Sequence, residues 1–186
     1  MGPEFFLVIK PNKSKSVYEM AESLFAQSRN LVGSALIQVS SLSQKYDLTI
    51  HIHGYKKQVD KISEGVSVGL ELGSYRFDAF KKNKAQLPEQ VFFKASKKIH
   101  ESHLGWSVNM ARHLVNLPAN ELHPASYTQF VKKIFAGRPG VKINVLTEKE
   151  ILKEGLNLLA NVGQAAVHTS RLVHLKYRPK GAKIRQ

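Results

Sequence analysis

The chain has 186 residues, 42% of them hydrophobic, enough for a buried core, and it has no cysteine, which excludes disulfides, thiolate metal sites and cysteine nucleophiles. Twenty-eight Lys and Arg against fourteen Asp and Glu give a formal charge of +14, which attracts polyanions by counterion release and admits DNA or RNA as a partner. The same charge is also expected of one end of a longer chain whose acidic remainder cancels it.

Phe5–Lys10 is an apolar strand candidate closed by the turn residues Pro11 and Asn12. Neither a basic leader nor a small-residue cleavage site surrounds it, and about 18 consecutive apolar residues occur nowhere, so a cytoplasmic protein outside the membrane is expected. Ser16 and Glu19 have capping-box spacing, and Val17, Met20, Ala21, Leu24, Phe25, Ser28, Leu31 and Val32 recur on one helical face. Gly33 reads as a helix stop and Ala35–Val39 as a strand. Leu48, Ile50 and Ile52 alternate with Thr49, His51 and His53, which predicts a strand with one apolar face. A helix is predicted over Val59–Phe77, where Gly65, Gly69 and Gly73 on its apolar stripe imply close backbone packing and no phosphate loop. Lys81, Lys82 and Lys84 form a solvated loop, and Val91–Lys94 a short strand. The resulting β-α-β-β-α-β order argues for an α/β layer.

The proline-free stretch 96–117 carries two apolar stripes. Ile99, Trp106, Met110, Leu114 and Leu117 make one, and Leu104, Val108, Ala111 and Val115 the other. Burial on both sides is expected of a linker helix between two domains, with 1–95 before it and 118–186 after it. Pro124 starts a helix to about Ala136, Val141–Val145 is a strand, and Thr147 with Glu150 caps a helix over Glu148–Glu154 stopped by Gly155. Leu156–Val162 and Leu172–Tyr177 are the last strand candidates.

The run Ala111-Arg112-His113-Leu114-Val115-Asn116-Leu117-Pro118-Ala119-Asn120-Glu121-Leu122-His123-Pro124 resembles the A-R-x-L-x-N-x-P-A-N-x-x-x-P signature that opens the catalytic domain of leucyl (cytosol) aminopeptidases. Glu64-Gly65, Gly69, Leu72, Tyr75-Arg76-Phe77 and Phe80-Lys81 upstream, and Val141–Val145, Glu148–Gly155 and Val162-Gly163-Gln164 downstream, are similar to the same family in the same order. The resemblance spans about Glu64 to Tyr177. It implies a macro-like α/β domain over 1–95, a linker helix, and the opening βαβ part of a catalytic domain over 118–186.

The resemblance further implies a parent that releases amino-terminal residues from peptides with two divalent ions, zinc or manganese, and that assembles as a hexamer. The family's metal cage and catalytic Lys and Arg follow in a K-G-x-T-F-D-S-G-G run and further acidic residues, none of which lies within Met1–Gln186. No catalytic or metal-binding residue is therefore expected in this chain, which would be inactive by itself and need the remainder of the catalytic domain as its partner. Arg112, Asn116, Pro118, Ala119, Asn120 and Pro124 are expected to build a rigid corner, with the two Asn amides capping backbone groups. Two positions depart from the family pattern: His113 stands where Asp is common, and Gly163-Gln164-Ala165-Ala166 replaces G-Q-G-S, placing Ala165 where a positive φ would favour glycine.

Among the remaining residues, His51 with His53 has the spacing of a metal pair on one strand face and His100 with His103 that of one helical turn, but each pair lacks a third ligand in sequence reach. His168 and His174 have no paired acid, and no G-x-S-x-G turn offers a serine nucleophile. Trp106 reads as packing. A second function class is a basic nucleic-acid-binding or assembly module without catalysis, for which Lys81, Lys82, Lys84, Arg178, Lys180, Lys183 and Arg185 are the candidate polyanion contacts.

Overall fold

The computed structural model of the chain describes residues 17–40, 45–52, 56–95 and 102–181. The Phe5–Lys10 strand, Ser16 of the first capping box, His53, Ile99, His100, Lys183 and Arg185 lie outside them. The chain divides into two compact units, Met1–Asn116 and Leu117–Gln186, and both mix helices with a small sheet.

The first unit is built on two long helices, α1 (Val17–Val39) and α2 (Lys56–Ser74). Leu24 and Val32 of α1 form its core with Val59, Ile62 and Val66 of α2 and with Ile52, and Ile50, Leu70 and Ala95 pack on its margin. The glycine stripe brings the helices to backbone contact. A Cβ at Gly69 would stand 2.5 Å from the Arg29 carbonyl oxygen, and one at Gly73 would stand 2.8 Å from that of Gly33.

Gly33 therefore does not stop α1, as the sequence predicts, and Ala35–Val39 is helix and not strand. The residue lies in mid-helix with its Cα face against Gly69, so its missing side chain serves close approach. Val32, Leu36 and Val39 are buried at helical spacing while Ile37 is exposed, a pattern no strand would give.

β1 (Leu48–Ile52) and β2 (Val91–Ala95) flank α2 and pair in parallel from Leu48 opposite Val91 to Ile52 opposite Ala95. β1 keeps the predicted alternation, with Ile52 buried and Thr49 and His51 exposed. Ala35–Val39, the first strand of the expected β-β pair, is not formed, because α1 occupies its sequence. α3 (Leu104–Asn116) completes the unit against α2.

The second unit runs α4 (Pro124–Phe135), β3 (Val141–Thr147), α5 (Glu148–Lys153), α6 (Asn157–Gly163) and β4 (Arg171–Tyr177). Pro124 opens α4 and the Thr147–Glu150 box opens α5, as the sequence predicts. Gly137, Gly140 and Gly155 take positive φ at the turns.

The expected βαβ arrangement is not formed here. β3 and β4 are antiparallel, from Val141 opposite Tyr177 to Thr147 opposite Arg171. Two short helices, α5 and α6, fill the connection between them.

Leu156–Val162, expected as a strand, is mostly α6. Ala160 is buried while Leu158 and Val162 face solvent, and its Leu, Asn and Ala residues carry little of the β-branching that favours strands.

Candidate functional site

The family-signature residues sit partly on a seam between α3 and the C-terminal end of α2. The last carbonyls of a helix have no intrahelical partner, and here side chains take three in succession. Asn109 Nδ2 donates to the Glu71 carbonyl at 2.6 Å, Arg112 Nη1 to that of Leu72 at 3.1 Å, and Arg76 Nη1 to that of Gly73 at 2.7 Å. Two of these donors are cations, which also favours the negative end of the helix dipole.

Arg112 lies over the Tyr75 ring at 4.2 Å and is steadied by Asn109 Oδ1. Asn116 Nδ2 donates to Tyr75 Oη at 3.0 Å, and His113 packs on Phe77 at 5.7 Å between ring centroids. At the other end of α3, Glu71 Oε2 accepts the Trp106 amide at 2.8 Å, placing a carboxylate at the helix N-terminus. Gly105 is buried where a side chain would collide with Glu71.

Asn109, Arg112 and Asn116, at helical spacing from the buried Gly105, thus carry the side-chain polar contacts of α3 to α2 and Tyr75, and Met110 and Leu114 of the first apolar stripe are half-buried. Within the first unit Trp106 is half exposed, and Leu104, Val108 and Val115 of the second stripe are exposed. Hydropathy cannot register a polar face whose partners are the open carbonyls of another helix. Glu71 and Asn109 had no signal in the sequence, whereas Tyr75 lay in the quoted Tyr-Arg-Phe run.

In the second unit, Glu121 and Leu122 amides both donate to the Pro118 carbonyl at 2.9 Å, which closes a turn after the proline. Ser126 Oγ then joins the turn to α4, accepting from the His123 amide at 2.9 Å and donating to the Glu121 carbonyl at 2.7 Å. Ser126 does the capping expected of the asparagines. Asn116 bonds a phenol, and exposed Asn120 has no hydrogen-bond partner among the described residues. Ala119 is exposed within the turn.

A cleft of about 500 Å³ opens between α4 and β4, lined by His123, Tyr127, Val131 and Phe135 on one side and Arg171 and Val173 on the other. His123 stacks on His168 with ring centroids 3.9 Å apart, and its Nδ1 is buried without a hydrogen-bond partner. Ala165 does not take a positive φ; among the described residues only glycines do. In the α5 cap, Glu150 Oε2 accepts from Thr147 Oγ1 and from the Thr147 amide, both at 2.7 Å. Those two bonds hold the Glu150 carboxyl below its ordinary value.

The other candidates remain dispersed. His51 is exposed on β1, His103 precedes α3, and His174 on β4 lies opposite Asn144. No three His, Asp or Glu side chains among the described residues lie close enough to share a metal ion, so these residues do not fit a pair of divalent ions. Lys81, Lys82 and Lys84 are exposed in the loop after α2, and Arg178 and Lys180 are exposed beyond β4. No described helix is long and apolar enough to cross a membrane.

The described residues thus form two small units that each mix helices with a two-stranded sheet. Residues 109–186 match the model of the cytosol aminopeptidase family, catalytic domain. A probable cytosol aminopeptidase of Geobacter sp. (strain M21) is 33% identical over 138 residues, which are 67% of this chain and 28% of the relative. One of Tropheryma whipplei (strain TW08/27) is 27% identical over 87% of this chain and 32% of the relative.

Among solved structures, the bottromycin maturation enzyme BotP in complex with Mn has a TM-score of 0.69 at 21% identity, covering 84% of this chain and 34% of that one. A tomato leucine aminopeptidase mutant has a TM-score of 0.67 at 16% identity, covering 92% and 35%. The chain belongs to the leucyl (cytosol) aminopeptidase family, and it spans about three tenths of the length of the curated relatives it matches.

Proposed function

We propose that this chain is the amino-terminal portion of a metal-dependent leucyl aminopeptidase-like protein, which releases amino-terminal residues from peptides. In this reading residues 1–95 are the macro-like front domain, residues 96–117 its linker helix, and 118–186 begin the catalytic domain. The whole protein would be a cytoplasmic hexamer holding two zinc or manganese ions. When bound, such a pair polarises the scissile carbonyl and makes hydroxide available from water.

This chain's own residues supply support for that centre. Arg112 and Asn116 fix α3 on α2, and the Pro118 turn with Ser126 fixes the start of α4. The observation that carries the reading is that residues 109–186 match the family's catalytic domain while the family's metal-cage run lies nowhere in the sequence. The chain alone is therefore inactive.

Hydrolysis of leucine p-nitroanilide by the purified chain, with added Mn²⁺ or Zn²⁺, is expected to equal the buffer rate. Adding a separate polypeptide carrying the rest of the catalytic domain should restore it. Turnover by the chain alone that a chelator abolishes would overturn this reading.

A further inference from the structure

The two edges of the β3–β4 sheet differ. The Arg178 amide donates to the Gly140 carbonyl at 2.7 Å, which fixes the phase of the antiparallel ladder. Leu172, His174 and Lys176 therefore turn their backbone groups to β3, and Arg171, Val173, Leu175 and Tyr177 turn theirs to the open side of β4. None of these outward amides and carbonyls has a hydrogen-bond partner among the described residues. The outer edge of β3 is closed at both ends instead. There the Val141 amide donates to the Arg138 carbonyl at 3.2 Å and the Thr147 amide to Glu150 Oε2 at 2.7 Å.

The open edge borders an apolar cleft. Arg171, Val173 and Leu175 line it with Tyr127, Val131 and Phe135 of α4, and Tyr177 follows on the same side of the strand. Leu175 is 37% exposed, Tyr127 41% and Tyr177 62%, so α4 covers this side incompletely. Neither a bulge nor a proline, features that keep an edge from pairing, interrupts the seven residues of β4.

We infer that the open edge of β4 and the cleft beside it receive an extended strand from the remainder of the catalytic domain, an inference that rests on the aminopeptidase reading above. Such a strand would take up the free amides and carbonyls over about 20 Å and set alternate apolar side chains in the cleft against Val131 and Phe135. Nucleic acid and lipid carry no donors and acceptors that alternate at strand spacing. A second copy would bring a β4 whose Val173 and Leu175 already lie against its own α4, so it could pair strands without filling the cleft.

Two observations favour the remainder as the source. The Geobacter relative is more than three times as long as its matched segment, since those 138 residues are 28% of it. From Leu117 to Gln186 the sequence has twelve Lys and Arg and four Glu, an excess that attracts a partner of opposite net charge.

The test is amide hydrogen exchange, read by NMR on the full ¹⁵N-labelled chain with and without the part of the Geobacter relative that follows its matched segment. On adding that polypeptide, protection of the Arg171, Val173, Leu175 and Tyr177 amides should rise at least about tenfold, while Leu172, His174 and Lys176, already bonded to β3, should change little. Leu175→Pro removes one outward donor and none from the β3 ladder, and should weaken the complex at least about tenfold. Lys176→Ala, on the opposite face, should weaken it less than about twofold. If the proline variant does not fold, Leu175→Lys sets an ammonium in the cleft and should weaken binding by a similar factor.

A complex that turns over leucine p-nitroanilide without protecting those four amides overturns the inference and leaves the aminopeptidase reading standing, and protection without turnover does the reverse. The inference also fails if no complex forms, or if an eight-residue peptide of alternating Thr and Val protects the four amides equally well. Protection that rises with the concentration of the chain alone would assign the edge to a second copy and overturn it too.

Discussion

Replacing Gly69 by alanine sets two effects of opposite sign against each other. Helix propensity alone predicts that Gly69→Ala stabilises α2 by about 1 kcal/mol. The packing predicts the reverse. The new Cβ would lie 2.5 Å from the Arg29 carbonyl oxygen and 3.1 Å from the Arg29 Cα, both of them backbone atoms that no rotamer change can move.

Ordinary contact is reached only if α1 and α2 separate by close to 1 Å at this level, and a gap of that size forfeits a quarter to a half of each dispersion contact across it. Leu24, Val32, Val59, Ile62 and Val66 meet in the core these helices share. Overpacking and the loosened core together cost about 2–3 kcal/mol, leaving a net loss of about 1–2 kcal/mol after the propensity gain. Trp106 is the single tryptophan and belongs to the first unit, so its fluorescence follows the unfolding of that unit in urea. With a slope of about 2 kcal/mol per molar, the midpoint should fall by about 0.7 M. A midpoint that rises would refute close backbone contact at Gly69.

Arg112→Ala strips the Leu72 carbonyl of its donor and Tyr75 of its cation, so the Trp106 midpoint should fall by about 0.5 M, or about 1 kcal/mol. Arg112→Lys should recover only part of this, because an ammonium cannot both stack flat on the ring and keep the bond; full recovery would show that charge alone matters. Glu150→Gln probes the α5 cap. The Glu150 carboxyl titrates below its ordinary 4.5 when folded, so its stabilisation is fully present above that pH and is lost as pH falls through the depressed value. The variant should therefore unfold at a lower temperature than the parent at pH 7, and the two should converge in acid. A difference that persists unchanged would remove the cap as its cause.

What could be read from residue order alone was whatever is encoded locally. Pro124 and the Thr147–Glu150 box set helix starts within one turn, Leu48–Ile52 alternates because a pleated strand turns successive side chains to opposite faces, and the glycines of α2 announced a close neighbour. The signature over Ala111–Pro124 likewise carried the family, since it is a fixed string of residue types.

The tertiary structure decided where a residue's partner is remote in sequence. Gly33 stops a helix or lets one pass according to whether another backbone lies against it, and here Gly69 does. The direction of β4, antiparallel to β3, is a property of the pairing and not of either strand's own residues. Asn109, Arg112 and Asn116 belong to a packed face because α2 ends beneath them with unbonded carbonyls and a tyrosine, a match of donors to acceptors made 38 to 41 residues away that hydropathy along α3 does not register.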